Sequence, residues 1–361
     1  MKKFKILLSV ILVFALMFSF TGCIHKQNEI AVEIGGTKFT AAQYSYALLL
    51  ADSEAQSRVS EQLSNDGADT SSADIDLYAQ KIDDVDYVTW VENRAVELLG
   101  EYAAYEKLFT DAGLKLSDET KANNESYAQY YYSYYKSVYE NNGISQETYA
   151  KMLTYDSYAS EYFTYLYGAE GSKAIPAEDI SKAFSDSYRV ALVLQTDVTE
   201  MDEEEASEAK HSLEHSKEHL EKGGSIVEVY NEFNGLTEET AAAGTGTPAE
   251  KEEDAVSVVA DPEFDSSYGV DYWNDIKDIA AGEAEILESE QDDHKYIRLV
   301  YVVKVAEDDT TYIDRMDSNI RWVLKNEEFD ADIAAYAKGM NVVKHSYAMS
   351  EFKVKKIHYG E

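Results

Sequence analysis

Val88, Val91, Ala95, Leu98, Tyr102, Tyr105 and Phe109 recur at alternating spacings of three and four. That period puts them on one face of an α-helix for about six turns. A stripe this long is stable in water only against other helices, so it commits the first half of the chain to a helical domain. Gly113 stands where such a helix stops. Upstream, residues 31–34 alternate as a short strand, Gly35-Gly36 suits a tight turn, and Thr40-Ala41-Ala42-Gln43 reads as a capping box opening a helix. Residues 64–74 form a polar loop without periodicity. Three further helices are expected downstream. One is capped by Ser117 and one by Ser145, ending near Gly168, and a shorter one opens at Pro176.

The period changes at Tyr188. "YRVALVLQTD" alternates as a strand, "DEEEASEAKHSLEHSKEHLEKGG" is a charged helix stopped by Gly223-Gly224, and "SIVEVYNEFN" is a short helix. Residues 235–268 are acidic and poor in apolar side chains and are expected to form a long surface insertion. "DYWNDIKDIAAGE" reads as a short helix, and "KYIRLVYVVKVAED" is the most strand-like stretch of the chain. A helix over "DRMDSNIRWVLKNEEFDADIAAYAKGM" and a pair of short strands, "NVVKHSYAM" and "EFKVKKIHY", close the chain. The fold class is therefore mostly α with a small α+β domain over residues 186–308. No internal repeat is evident.

The N-terminus has a different character. Lys2, Lys3 and Lys5 precede an apolar run from residue 6 to 20, then Thr21-Gly22-Cys23. A charged start, an apolar core and small residues before the cut form a secretory signal, and Cys directly after Thr-Gly resembles a bacterial lipoprotein signal. Phe20 departs from the usual Leu of that pattern. An uncleaved membrane anchor is the rival, and the run falls short of the roughly 20 residues a spanning helix needs. On the lipoprotein reading residues 1–22 are removed and Cys23, the one cysteine of 361 residues, becomes the lipidated first residue. No internal disulfide is possible, so stability comes from packing. Loss of three lysines and no acid takes the formal charge from −37 to −40. Such a chain does not bind nucleic acid by neutralising phosphates. Its acidity serves solubility, with attraction to basic unfolded polypeptide or loose calcium binding as functional alternatives.

Taken in order, these segments resemble a family over nearly the whole mature chain: the extracytoplasmic PrsA-type foldases and the related periplasmic chaperone SurA. "VEIGGTKFTAAQYSYAL" is similar to their opening strand, turn and helix, and "LLGEYAAYEKLFTDAGLKLSDE" to the long helix and following hinge. "NGISQETYAKMLTYDSYASEYFTYLYG" and "IPAEDISKAFSDSYRVALVL" resemble the lead into an inserted parvulin-type prolyl isomerase domain. "EEEASEAKHSLEHSKEHLEKGGSIVEVYNEFN" and "YWNDIKDIAAGE" follow that domain's pattern. The resemblance implies a helical N-terminal domain over 23–185, a parvulin-like domain over 186–308, and residues 309–361 returning to complete the first domain. It also marks two positions where parvulins carry histidines. Leu192 and Tyr301 stand there instead, and the Gly-Gly-Asp-Leu-Gly segment has no counterpart. Isomerisation must lower a barrier of about 18–20 kcal/mol in a shaped, partly dry pocket with a polar floor. Leu192 supplies no polar group, so no catalytic residue is assigned and the domain is expected to be non-catalytic.

"SYAQYYYSYYKSVYE" is the most unusual stretch. Tyr127, Tyr131 and Tyr134 share a stripe with Val138 that ordinary core packing would explain. Tyr130, Tyr132, Tyr135 and Tyr139 lie on other faces, and one core cannot bury them all. These four are the candidate client-binding residues, since rigid amphipathic rings bind varied apolar segments at low entropic cost. His211, His215 and His219 repeat at four-residue spacing. Two could share a metal ion, but three drift around the axis, and a solvated face is expected with no metal and no cofactor. The expectation is a chaperone held by Cys23 on the outer face of a bacterial cytoplasmic membrane. It binds unfolded secreted polypeptides without ATP, consistent with the lack of a Walker motif. The alternatives are an active prolyl isomerase and a metal- or solute-binding lipoprotein, although solute-binding folds need repeated strand–helix units.

Overall fold

Gly35 and Gly36 adopt positive φ, 58° and 99°, which only glycine does without strain. They turn Ile30–Ile34 (β1) into Thr37–Thr40 (β2), and the two strands pair antiparallel. The capping box then opens Ala41–Asn65 (α1): Gln43 Oε1 accepts from Thr40 N at 3.0 Å, and Gln43 N donates to Thr40 Oγ1 at 3.3 Å. In this computed structural model the described residues are 26–65, 75–267, 269–291, 293–305 and 310–359. The segment read as a lipoprotein signal, with Cys23, lies outside the described residues.

A two-residue hairpin, Lys81–Ile82 (β3) and Val85–Asp86 (β4), leads into Tyr87–Asp111 (α2). Helix α2 buries Val91, Ala95, Leu99 and Tyr102. The burial stripe thus runs through Leu99, with Leu98 only half-buried. Ala47, Ala51 and Ala55 of α1 are fully buried, and side chains this small let α1 and α2 approach closely. Gly113, at φ 74°, ends α2 with Leu114 N donating to Phe109 O at 3.2 Å and Gly113 N to Thr110 O at 2.9 Å. This pair of bonds satisfies carbonyls the helix leaves open. Asp118–Tyr134 (α3), Lys136–Asn141 (α4) and Gln146–Tyr167 (α5) follow. The hydroxyls of Ser117 and Ser145 cap the starts of α3 and α5, accepting from Thr120 N at 2.9 Å and Thr148 N at 3.1 Å.

Ala177–Ser187 (α6) precedes a four-stranded antiparallel sheet. Its elements are Tyr188–Asp197 (β5), Glu203–Glu221 (α7), Ile226–Phe233 (α8), Glu238–Ala243 (α9) and Glu252–Ala255 (α10). Ser257–Ala260 (β6), Val270–Ile276 (α11), Ala284–Gln291 (β7) and His294–Val302 (β8) complete it, in the order β6-β5-β8-β7. Alternation along β5 sends Val190, Leu192 and Leu194 into one core with Ile180, Phe184, Leu213, Leu220 and Val229. Ala191 faces a second core with Val259, Trp273, Ile276 and Val300.

Two strands depart from the sequence expectation. The acidic segment 235–268 is not wholly an insertion, because its "SVVA" forms the edge strand β6, where Val258 and Val259 pair with Val190 and Arg189. Strand β7, "AEILESEQ", forms a hairpin with β8. Its alternating glutamates hide a strand that gains its partner from tertiary context.

Thr311–Lys338 (α12), Val342–Lys344 (β9) and Ser346–Met349 (α13) close the chain. Strand β9 pairs with β1, giving a sheet β2-β1-β9. "EFKVKKIHY" is not a strand: it holds a short 3₁₀ turn, Val354–Lys356. Side chains fasten this tail. Asn142 Nδ2 donates to His358 O at 2.7 Å, and His358 N donates to Asn142 Oδ1 at 3.1 Å, the two bonds a neighbouring strand would otherwise make. The Tyr359 hydroxyl meets Asp52 Oδ2 at 2.5 Å, and the Tyr87 hydroxyl meets Oδ1 of the same carboxylate at 2.9 Å.

The fold is mostly helical with a small α+β part. It divides into two compact units, one of Met1–Leu166 with Glu327–Glu361, the other Tyr167–Asn326. The sequence places the corresponding boundaries at 185/186 and 308/309. Among the described residues no helix is long and apolar enough to cross a membrane.

Candidate functional site

Helix α3 touches its neighbours through a narrow face. Asn124, Ala128 and Tyr132, each four residues after the last, turn inward. Asn124 Nδ2 donates to Ser157 Oγ at 2.8 Å, Ala128 is fully buried, and Tyr132 is 9% exposed with its hydroxyl donating to Ile144 O at 3.1 Å. The small alanine sets the approach and leaves every other tyrosine of the helix outside it. Tyr127, Tyr130, Tyr131, Tyr134 and Tyr135 are between 42% and 74% exposed.

These five form a continuous array. Ring centroids of Tyr127 and Tyr131 lie 6.1 Å apart, Tyr130 and Tyr131 5.1 Å edge-to-face, Tyr130 and Tyr134 5.8 Å, Tyr134 and Tyr135 6.3 Å. At about 1.5 Å rise per residue the array extends about 12 Å along the helix. An open hollow bounded by Asn123, Ser126, Tyr127, Tyr130 and Tyr131 lies at its upstream end.

The array differs from the sequence expectation in a specific way. Of the candidate residues, Tyr130 and Tyr135 are exposed, whereas Tyr132 is buried and Tyr139 packs inward. The stripe of Tyr127, Tyr131 and Tyr134, which core packing would have explained, faces outward. The reason is that the stripe of Asn124, Ala128 and Tyr132 meets the core, so the adjoining stripe of Tyr127, Tyr131 and Tyr134 faces water. Tyr135 has φ −105° and ψ 24°, so α3 ends there and α4 takes a new direction. Tyr139 then stacks on Tyr132 at 5.5 Å and on Tyr149 at 5.0 Å. Burial pushes the Tyr139 hydroxyl well above the ordinary phenol range, with Tyr149 adding to the shift.

The second candidate region is the four-stranded sheet. Leu192 on β5 and Tyr301 on β8 are direct cross-strand partners, so the two positions marked by the resemblance meet in space. Leu192 is 0% exposed and belongs to the hydrophobic core, against which half-buried Tyr301 packs. One apolar side chain and one phenol therefore stand at these two paired positions.

The histidines of α7 offer no converging set. His211 and His215 are exposed, and His211 Nδ1 lies 3.6 Å from Glu214 in an exposed pair. Among the described residues no three His, Cys, Asp or Glu side chains are arranged to hold a metal ion. On the same unit, Thr199 and His294 hold the exposed Asp197 carboxyl down at about 2.

No protein-family model matches the sequence, and no curated protein matches it significantly. Among solved structures the chain is similar to the foldase protein PrsA from Streptococcus pneumoniae str. Canada MDR_19A. The identity is 12%, covering 73% of this chain and 91% of that one, at a TM-score of 0.38. It is similar at 12% identity to a foldase protein PrsA from Lactococcus lactis, covering 90% and 99%, at a TM-score of 0.38. A peptidylprolyl isomerase (PrsA) from Bacillus anthracis aligns at 16% identity over 67% and 94%, at a TM-score of 0.22. Overlays at these scores do not define a shared arrangement, so the function is argued from the residues of this chain.

Proposed function

We propose that the chain is an extracytoplasmic chaperone, tethered to the membrane through a lipid on Cys23, that binds unfolded secreted polypeptide without ATP. The observation that supports this most is the tyrosine array of α3. Five exposed rings on one helix face cost little to order, because each has only two side-chain torsions and a neighbouring ring to rest on. They offer apolar faces with hydroxyl rims, which suits client segments of varied sequence, and a ring pair in contact is worth about 0.5–1.5 kcal/mol. The parvulin-like unit is non-catalytic in this reading, on the strength of buried Leu192 opposite Tyr301.

Refolding of a client with a slow phase limited by proline isomerisation separates yield from rate. With the soluble fragment lacking residues 1–23, the final yield is expected to rise while the slow phase keeps its rate. Acceleration of that phase by substoichiometric protein would contradict the non-catalytic assignment. An unchanged yield would contradict the chaperone.

A further inference from the structure

Strand β7 is the last of its sheet, so one side of it has no strand beside it. The phase of the hydrogen bonds shows which groups this leaves. At the two ends of the β5–β8 pair, Val198 N donates to Lys295 O and Val303 N to Val190 O, both at 2.8 Å. The odd-numbered residues of β8 therefore bond toward β5 and the even-numbered ones toward β7. Val302 N donating to Glu283 O at 3.1 Å agrees. Glu285, Leu287 and Ser289 stand opposite Val300, Arg298 and Tyr296, so these three bond inward. Ile286, Glu288 and Glu290 alternate with them and turn their N–H and C=O groups out of the sheet. Among the described residues no backbone bond outside the ladder engages those groups.

Donor and acceptor pairs repeating every second residue, about 6.8 Å apart, match the backbone of another extended polypeptide. The side chains select which one. Glu288 and Glu290 share the face toward α7, and Glu285 lies on the other; all three are exposed. Lys210 of α7 reaches Glu288 at 2.7 Å. Lys295 stands opposite Glu290, yet neither Glu290 nor Glu285 is held in an ion pair among the described residues. An open groove of about 650 Å³ runs between α7 and this end of the sheet, bounded by Glu203, Ser207 and Lys210 on one side and Glu288 and Glu290 on the other. A side chain of an added strand opposite Glu288 or Glu290 lies on the face of that groove.

Charges along an edge ward off neutral strands. A second copy of this chain brings the same glutamates and another formal charge of −37, and is repelled. A basic strand turns the same carboxylates into cross-strand partners, and a carboxylate already holding Lys210 still has sites for a second donor. We propose that the β7 edge takes an extended basic segment of a polypeptide as a fifth strand, with lysine or arginine two residues apart opposite Glu288 and Glu290. The parvulin-like unit thereby gains a binding role that needs no catalysis. Strand β7 belongs to the unit of Tyr167–Asn326 and the tyrosine array to the other, so either surface can fail alone.

The test uses two short fluorescent peptides, one alternating lysine with valine and one alternating glutamate with valine, and the full chain in mild detergent. By anisotropy the lysine peptide is expected to bind about tenfold more tightly than the glutamate peptide at about 50 mM salt, with the ratio shrinking as salt screens the charges. Hydrogen exchange resolved to single residues separates strand pairing from loose attraction. The bound lysine peptide is expected to slow the amides of Ile286, Glu288 and Glu290, while those of Glu285, Leu287 and Ser289, already bonded to β8, change little. Glu288→Pro removes one outward N–H, which an edge strand tolerates, and is expected to weaken the lysine peptide about tenfold with the thermal midpoint kept. Equal affinity for the two peptides, or binding with no slowing at residues 286, 288 and 290, overturns the proposal. So does a folded Glu288→Pro variant that binds as before. Slowing of the same amides without peptide, growing with protein concentration, overturns it in favour of a second copy. Should Glu288→Pro not fold, the exchange pattern of the wild type decides alone.

Discussion

Replacing Tyr127, Tyr130, Tyr131, Tyr134 and Tyr135 together by glutamine is expected to raise the concentration needed to suppress client aggregation by about thirtyfold or more. The five rings are exposed and touch one another more than they touch the core. Losing about 0.5 kcal/mol of aromatic contact per ring removes roughly 2.5 kcal/mol of client binding, where 1.4 kcal/mol is tenfold. The fold should hardly notice. Glutamine forms helix at least as well as tyrosine, and exposed substitutions away from caps stay within about 0.5 kcal/mol each. Asn124, Ala128 and Tyr132, which anchor α3, are untouched. Thermal unfolding and aggregation suppression measured on the same preparation check both halves. Unchanged suppression would place client binding elsewhere.

Leu192→Ala is expected to do the opposite, with a large loss of stability and no change in isomerisation. Leu192 is fully buried, on a strand paired on both sides, in a core that includes Leu213 and Leu220 from α7 and Phe184 from α6. Truncating such a leucine removes its transfer energy and leaves a cavity, at a cost of about 3–5 kcal/mol. For a unit of this size that lowers the midpoint by roughly 6–20 °C. Calorimetry gives the midpoint, and a proline-peptide isomerisation assay gives the rate, which should match the uncatalysed value before and after the substitution. A midpoint unchanged by the substitution would remove Leu192 from the core. A measurable rate lost with Leu192 would make the sheet an active site.

What the sequence shows and what it hides divide along physical lines. Local chemistry was legible. The Thr40–Gln43 capping box, the Ser117 and Ser145 caps and the Gly113 stop all form where the residues call for them. Each depends on side chains within a few positions of the backbone they satisfy. Strands β6 and β7 were not legible, because acidic residues around "SVVA" and within "AEILESEQ" mask segments that pair only once β5 and β8 are in place. The segment 351–359 shows the reverse error. Its alternation suggests a strand, yet Asn142 supplies both bonds to His358. At the tyrosine-rich stretch the number of rings was plain but their directions were not. Which stripe of a helix turns inward is set by its partners, and here Asn124, Ala128 and Tyr132 meet neighbouring elements.

The central claim, that the outward array of α3 holds unfolded polypeptide, is tested most directly by site-specific photo-crosslinking. A photoreactive aromatic residue placed at Tyr130 points outward from the array, and one placed at Tyr132 points into the core two residues away. With an unfolded client added before illumination, a strong adduct is expected from Tyr130 and essentially none from Tyr132. Adducts of equal strength from both, or none from Tyr130 while client aggregation is still suppressed, would contradict the claim and move the binding surface off this helix.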